Sequence, residues 1–262
     1  MTIMSNFSVH PTAIVSNQIT VGNNVTIGPF TIIEEDVEIG NNVEIRSSAY
    51  IAAGTRIADN CRIHSGVVIG TEPQDLKFKG ERTYVYIGEN TVLREFVTVN
   101  RATMSTTKTI VGSNCLIMTY CHIAHDCRIG NNVIMANATQ LAGHVSIEDW
   151  ATIGGLVGIH QFSKIGCHSM IGAHVKVAKD IPPYVLIARE PARIEGINKI
   201  GLKRKGFSNE LIKEIENFYD LILFSGFNNR EGIAKYLERE IIPDEVKHCI
   251  DFIQDSTRGI YR

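Results

Sequence analysis

The sequence contains no long apolar run. Its longest stretch of apolar residues and glycine, IGGLVGI at 153–159, has seven residues. A membrane-spanning helix needs about 20 consecutive apolar residues. We therefore expect no stable membrane insertion.

The sequence also lacks an excess of either charge. Its 26 Lys and Arg residues stand against 28 Asp and Glu, for a formal net charge of −2. Domains that bind nucleic acid through its phosphates usually carry a positive patch or net charge. This balance argues against nucleic acid as a partner.

We also expect no export signal, because the amino-terminal MTIMSNFSVHPT has neither a basic segment nor an apolar one. The six cysteines among 262 residues are then expected to be reduced thiols. We expect a cytoplasmic protein.

What the sequence does contain is an aliphatic residue at every sixth position. The phase runs from Val9 to Val177 over 29 positions, and 26 of them are aliphatic. The exceptions, Asp75, Glu81 and Ser105, lie where the phase breaks. Neither the 3.6-residue period of a helix nor the alternation of a long strand produces this period.

Small or β-branched residues recur four positions after the aliphatic ones, as at Val25, Thr31, Cys121 and Cys127. Gly or Asn often comes next to the aliphatic position, and both residues suit turns with positive φ. Short β-branched segments joined by tight turns at a fixed period predict a parallel β-solenoid, in which each coil buries its aliphatic residues against its neighbours.

The six-residue pattern resembles the left-handed parallel β-helix of the hexapeptide-repeat acyltransferases, in which three hexapeptides form one triangular coil. We predict a mainly β protein with this left-handed parallel β-helix over residues 1–190 and loops near 71–86 and 101–110.

Helical spacing replaces the repeat in the last part of the chain. Ser208 precedes Leu211, Ile212 and Ile215, which suits a capped amphipathic helix. Further helices are expected around 229–241 and 243–256. The sequence therefore predicts a small α-helical C-terminal domain over residues 191–262.

The segment CHIAHDC at 121–127 contains the residue types that bind zinc. The phase places Cys121 and Cys127 inward, where a thiol acts as a small apolar residue. His122, His125 and Asp126 fall outside the inward columns and are expected to face outward or to lie at a corner. These histidines and thiols cannot share an ion, and we expect no metal.

Residues three hexapeptides apart should stack in adjacent coils, which places His125 beside Gly143 and then Gln161. A His followed by Asp126 offers a general base with a carboxylate that fixes its tautomer. Gly143 brings a backbone N–H close to a developing oxyanion. Because no Ser or Cys nucleophile accompanies a histidine base, the pattern favours direct acyl transfer from a thioester.

The motifs HIAHDC, LAGHVS, IHQF, PQDLK, IPPYV and GLKRKGF together resemble the UDP-N-acetylglucosamine O-acyltransferases of lipid A biosynthesis, over essentially the whole chain. The resemblance implies transfer of a 3-hydroxyacyl chain from acyl carrier protein to the sugar 3-hydroxyl, with no cofactor beyond that thioester. It also implies a homotrimer with sites between subunits. His125 is implied as general base, Asp126 as its partner and Gly143 as oxyanion donor. Substrate contacts are implied for Gln74, Asp75, Lys77, His122, His144, His160, Gln161, Asn198, Arg204 and Lys205.

Lys205 and Ile200 depart from the family pattern. Lys205 stands where Arg is frequent, so a bidentate phosphate contact is not expected. Ile200 replaces an acidic residue of some members, so no ribose or uracil contact is expected there. The family's limit on acyl length is implied to lie at Ala173 or at nearby Met170.

Three other functions are compatible with a solenoid of this kind to different degrees. Acylation of a 3-amino sugar nucleotide differs only in the acceptor atom, and the sequence leaves it open. A solenoid zinc carbonic anhydrase needs three convergent imidazoles, typically with an HxxxxH pair, whereas HIAHD spaces its histidines three apart. A purely structural solenoid gives no reason for six histidines within 53 residues, at 122, 125, 144, 160, 168 and 174.

Overall fold

The computed structural model describes residues 7–262. Its strands form three sheets, which are the walls of a β-helix that the chain visits in turn. The first wall has eleven strands: Phe7–Val9, Val25–Ile27, Glu44–Ile45, Arg62–Ile63, Val92–Leu93, Leu116–Ile117, Ile134–Met135, Thr152–Ile153, Met170–Ile171, Val185–Ala188 and Arg193–Ile197. The second has nine: Ile14–Val15, Ile32–Ile33, Tyr50–Ile51, Val68–Thr71, Thr98–Asn100, His122–Ile123, Gln140–Leu141, Gly158–Ile159 and Lys176–Val177. The third has eight: Thr20–Val21, Glu38–Ile39, Thr55–Ile57, Tyr84–Ile87, Lys108–Val111, Arg128–Ile129, Ser146–Ile147 and Lys164–Ile165.

Strand register explains why the six-residue phase survives its two breaks. Ile27 pairs with Ile45, 18 residues further on. Across the first loop Ile63 pairs with Leu93, and across the second Val99 pairs with Ile123. These separations of 30 and 24 residues mean that the loops add twelve and six residues, which are multiples of the period.

Both loops are shorter than the sequence predicts, covering 72–83 and 101–107 rather than 71–86 and 101–110. Their last residues form the strands Tyr84–Ile87 and Lys108–Val111, which pair along all four positions. These strands form because alternate residues, such as Val85 and Val111, are fully buried in the solenoid.

The inward columns are buried as predicted, and the smaller column has an additional role. Cys121 Sγ donates to the carbonyl of Ala136 at 3.1 Å, and Thr31 Oγ1 donates to that of Arg46 at 2.8 Å. Burial raises the pKa of the Cys121 thiol to about 11, so it stays protonated and can donate. Thr and Cys therefore satisfy backbone carbonyls inside the solenoid, as well as filling it.

Corners of the coils place one residue each in the left-handed conformation. At the corner between the third and first walls this residue is repeatedly Asn, for example Asn24 and Asn42 with φ of 60° and 55°. Asn24 Nδ2 donates to Asn42 Oδ1 at 3.2 Å, one step of a ladder along the corner. Asp126 and His144 have φ of 62° at the corner between the second and third walls.

Four helices follow the solenoid: α1 (Lys199–Arg204), α2 (Asn209–Tyr219), α3 (Asn229–Tyr236) and α4 (Asp244–Gln254), with a π-helical turn at Asp220–Phe224. Ser208 caps α2 as expected, since its Oγ accepts from the Leu211 N–H at 3.1 Å. α3 ends before the predicted residue 241, because the chain beyond Tyr236 is largely exposed.

The helices pack on the solenoid, where Tyr219 Oη donates to the carbonyl of Pro183 at 2.7 Å. Strands Val185–Ala188 and Arg193–Ile197 pair antiparallel. The predicted boundary between the solenoid and the helical domain, at residue 190, lies between these two paired strands, and it stays a prediction. Among the described residues, no helix is both long and apolar enough to cross a membrane.

Candidate active site

An open cleft of about 480 Å³ lies on the second wall, next to its corner with the third wall. Its floor is a column of outward residues from four successive strands, His122, Gln140, Gly158 and Lys176. Of the predicted site residues, the cleft brings together Gln74, His122, His125, Gly143, His160 and Gln161.

His125 and Asp126 form the predicted pair. Nδ1 of His125 lies 2.7 Å from Oδ2 of Asp126. Because an ionised carboxylate only accepts, Nδ1–H is the donor, and the lone pair of the neutral ring lies on Nε2. The imidazole lines the cleft with that nitrogen available as a base.

Asp126 is more enclosed than the sequence predicts. Rather than facing solvent, its side chain is fully buried, because the second loop folds over this corner. Oδ2 accepts from the N–H and hydroxyl of Thr103, at 3.1 and 2.8 Å, and Oδ1 accepts from the N–H and hydroxyl of Thr106. Burial raises the pKa of Asp126, but hydrogen bonds from Thr106, His125 and Thr103 outweigh it and lower the pKa overall.

Gly143 stacks against His125 as predicted. A Cβ on Gly143 would lie 2.5 Å from Cε1 and 2.6 Å from Nε2 of that ring, closer than any side chain can come. The Gly143 N–H donates to no acceptor among residues 7–262. It is therefore free to bind an oxygen beside His125.

Two further histidines support this corner. Nδ1 of His122 lies 2.7 Å from the Thr98 hydroxyl, and Nε2 of His144 lies 3.7 Å from Oδ2 of Asp126. The His144 ring stacks on Phe162 with centroids 4.5 Å apart. Burial lowers the pKa of both histidines, which favours neutral rings at neutral pH.

Arg258 contacts His160 of this cleft, and sequence reasoning missed it. Its Nη2 lies 3.2 Å from Nδ1 of His160, although 98 residues separate the two. A guanidinium only donates, so Nδ1 is the acceptor in this contact, and the same Nδ1 also lies 3.2 Å from the carbonyl oxygen of Gln161. The solenoid period carries no signal for this contact, since Arg258 lies outside the repeat.

The first loop contributes Gln74 to the cleft lining. Asp75 Oδ1 accepts from the N–H of Lys77 at 2.9 Å, which shapes the loop. Asp75 also lies near enough to His144 for its charge to act on that ring's pKa. Lys77 is exposed on the loop.

Asn198, Arg204 and Lys205 lie at a different corner from His125. Asn198 Oδ1 caps α1 by accepting from the Gly201 N–H, and its Nδ2 donates to the carbonyl of His168, at 3.1 and 3.0 Å. His168 is at the corner between the third and first walls, as is Trp150, whose ring centre is 3.7 Å from Lys205 Nζ. Arg204 is exposed in the last turn of α1, so the KRK segment at 203–205 lies at the end of that helix.

The two predicted length-limiting residues also lie apart from the cleft of a single chain. Met170 is on the first wall. Ala173 is exposed at the corner between the first and second walls. Its backbone nitrogen packs closely on Gly154 of the preceding coil, where an added Cβ would lie 2.6 Å from it. Gly158, which sequence reasoning did not single out, is on the cleft floor.

The corner at His125 is poorly suited to a metal ion. His125, Asp126 and His144 offer ligand atoms within 4.8 Å of one another. However, the Asp126 carboxylate already accepts five hydrogen bonds, which exceeds its roughly four lone-pair sites. Two imidazoles, those of His125 and His144, meet at this corner, whereas a carbonic anhydrase site requires three.

Comparisons with known proteins agree with this architecture. A family model described as UDP N-acetylglucosamine O-acyltransferase, domain 2, matches residues 180–261, and the bacterial transferase hexapeptide model matches 36–71 and 108–143. The chain is 45% identical over 199 residues to the acyl-[acyl-carrier-protein]--UDP-N-acetylglucosamine O-acyltransferase of Janthinobacterium sp., covering 74% of this chain and 76% of the relative.

Solved structures give the same result. The UDP-N-acetylglucosamine acyltransferase of Bacteroides fragilis superposes with a TM-score of 0.94 at 42% identity, covering 97% of this chain and 100% of that one. LpxA of Acinetobacter baumannii superposes with a TM-score of 0.92 at 40% identity, covering 97% of this chain and 99% of that one.

The repeat, the three walls and the histidine cleft define a hexapeptide-repeat acyltransferase with a left-handed parallel β-helix, as predicted. The chain belongs to the UDP-N-acetylglucosamine O-acyltransferase family.

Proposed function

We propose that this protein transfers a 3-hydroxyacyl chain from acyl carrier protein to the 3-hydroxyl of UDP-N-acetylglucosamine, the first step of lipid A biosynthesis. The observation that carries the proposal is the pairing of a buried His125–Asp126 dyad with the free N–H of Gly143 in one cleft. Six free cysteines among the described residues agree with a reducing compartment, and we place the reaction in the cytoplasm.

The proposed reaction is direct. Nε2 of His125 accepts the proton of the sugar hydroxyl, and the oxygen attacks the thioester carbonyl carbon. The Gly143 N–H donates to the oxyanion that forms, while Asp126 stabilises the imidazolium. When the tetrahedral species collapses, the C–S bond breaks and the carrier thiolate takes the proton back from His125.

Substrate contacts are proposed for the other cleft residues. His122, His144 and His160 are proposed to offer hydrogen bonds to the sugar, as are Gln74 and Gln161, and all of these except His144 line the cleft. Asp75 is placed on the sugar as well, and exposed Lys77 near the acyl donor.

A homotrimer is part of the proposal, because the two groups of predicted site residues lie at different corners of a single chain and must come together between chains. Asn198, Arg204 and Lys205 lie at another corner from His125, and a neighbouring chain would bring their amide and cations beside the nucleotide diphosphate. Leu76 is fully exposed at the tip of the first loop, where a neighbouring chain would cover it.

Mixed assemblies test this sharing of the site. His125→Ala and Lys205→Ala are each expected to be impaired. When the two variants are coexpressed and assemble at random into trimers, about a quarter of the sites should combine a native His125 from one chain with a native Lys205 from its neighbour. The mixture should therefore regain about a quarter of the wild-type activity. No gain on coexpression, or full activity in a monomer by sedimentation, would contradict the shared site.

The reaction itself is tested with UDP-N-acetylglucosamine and a panel of 3-hydroxyacyl carrier proteins, followed by mass analysis of the product. We expect a singly acylated ester, and a loss of roughly 10²–10⁴-fold in turnover for His125→Ala. Acylation of only a 3-amino analogue would favour an amine acceptor instead. Activity of His125→Ala within a few-fold of wild type would remove His125 from the role of base.

A further inference from the structure

Glu148, Cys167 and His248 form a second cluster of polar side chains, away from the cleft. Glu148 follows the third-wall strand Ser146–Ile147, and Cys167 follows Lys164–Ile165 one coil later. His248 belongs to α4. We propose that these three side chains bind a zinc ion that joins the C-terminal helices to the solenoid.

The cluster is already assembled. Nε2 of His248 lies 2.8 Å from Oε2 of Glu148, across 100 residues of sequence. The same carboxylate oxygen accepts from the Cys167 N–H at 2.8 Å, which fixes its direction. One ligand atom from each of the three side chains lies within 4.8 Å of the other two.

These spacings suit zinc. Zinc–sulfur bonds of about 2.3 Å and zinc–nitrogen or zinc–oxygen bonds of about 2.0–2.2 Å require ligand atoms roughly 3.3–3.8 Å apart in a tetrahedron. The His248–Glu148 pair at 2.8 Å lies just below this spacing, and no two of the three ligand atoms are more than 4.8 Å apart. A thiolate, an imidazole and a carboxylate are the ligands zinc takes, and the fourth position is left for water.

Unlike Asp126, Glu148 has capacity for an ion. Its Oε1 accepts no hydrogen bond from the part of the chain that the structure describes. Cys167 also differs from the four inward thiols of the solenoid, since it is partly exposed rather than buried. Binding would send the thiol proton and the proton between His248 and Glu148 to water, while the ion takes their place.

The cluster is accessible from solvent. About a third of the Glu148 side chain and 42% of the His248 side chain are exposed. An opening of about 450 Å³ on the third wall includes Glu148 and Cys167 in its lining and gives a hydrated ion a way in. Such an ion would cross-link α4 to two coils of the solenoid, so its binding energy would add to the stability of the fold.

The test uses the full-length protein, freed of metal by a chelator and titrated with zinc against a chromophoric competitor. We expect one zinc ion per chain and a rise in the thermal midpoint on binding. Titration with cobalt should give a near-ultraviolet thiolate-to-metal charge-transfer band, because Cys167 supplies sulfur. Zinc binding in Cys167→Ser and in His248→Gln should weaken at least about 100-fold, since loss of even an outer partner costs 10–100-fold.

Two further variants serve as controls. Glu245→Gln removes a charge three residues before His248 on the same helix and should bind zinc as the wild type does. His144→Gln alters the other histidine and carboxylate group and should also retain binding. The proposal is overturned by the absence of stoichiometric binding, by a missing charge-transfer band, or by binding that survives in Cys167→Ser and disappears in His144→Gln. Circular dichroism confirms folding, and if one ligand variant does not fold the other gives the result.

Discussion

The guanidinium of Arg258 lies 3.2 Å from Nδ1 of His160, so the end of the chain fixes a ring on the solenoid wall. Arg258 Nη2 also donates to the carbonyl of Ala178 at 3.1 Å, which holds it in place. We expect Arg258→Met to lower kcat/KM about fivefold, the value of one hydrogen bond of roughly 1 kcal/mol, because His160 loses a contact that holds its ring in place. Kinetics with the exposed Arg230→Ala as control measure this, and an unchanged kcat/KM would contradict it.

Asp126→Asn is expected to cost stability as well as activity. An amide oxygen cannot accept all five hydrogen bonds that the carboxylate accepts, and its NH2 group would face the two donors of either Thr103 or Thr106. Losing two bonds to a charged group lowers the free energy of unfolding by about 3 kcal/mol. Urea unfolding measures this, with Asp75→Asn on the first loop as the control. A variant as stable as wild type would mean that the second loop does not hold the carboxylate.

Gly143→Ala should reduce turnover without unfolding the protein. The backbone at this position is not left-handed, so alanine is allowed there, but its Cβ would force the His125 ring aside. A displaced base costs on the order of 10²-fold. Gly155→Ala, where the nearest atom would be 3.3 Å away, is the matched control and should stay active. Equal kinetics of the two variants would contradict the role of the close contact.

Acyl length should respond to bulk at Gly158. A Cβ there meets no described atom within 4 Å, so a larger side chain would fill the cleft floor. We expect Gly158→Val to favour shorter 3-hydroxyacyl chains by about 10–200-fold, the effect of one or two methylene groups in a fitted pocket. Competing carrier proteins of graded length measure the profile. Ala173→Gly tests the alternative, and a shift to longer chains there alone would place the limit at Ala173.

Acid should weaken the fold through three histidines. Burial lowers the pKa of His122, His144 and His168 from the value of 6.5, and the charge of Lys205 lowers that of His168 further. The unfolded chain then binds protons more readily than the folded one. The stability they contribute is complete above about pH 6.5 and is lost as the pH falls through their lowered values. Thermal midpoints across this range should fall less steeply in His168→Gln, while Gln18→Ala, which replaces an exposed side chain that does not titrate, keeps the wild-type slope. Parallel slopes for all three proteins would refute this.

Several features of the site could be predicted from the period alone. Since each coil repeats the last, the phase placed Cys121 and Cys127 inside, stacked Gly143 on His125, and returned in step after both loops. Local rules also identified the Ser208 cap of α2. These predictions depend only on neighbours in the repeat or within one helical turn.

Contacts between distant segments were decided by the tertiary structure. The second loop buries Asp126 under Thr103 and Thr106, Arg258 returns to His160, and α4 brings His248 to Glu148. None of these pairs shares the period, so their positions depend on how loops and helices pack against the solenoid. The sequence by itself determined which way each solenoid side chain points, because a fixed rise and a fixed turn repeat at every hexapeptide. Only the tertiary structure decided which of those side chains are enclosed, because enclosure depends on segments whose distance along the chain no periodicity encodes.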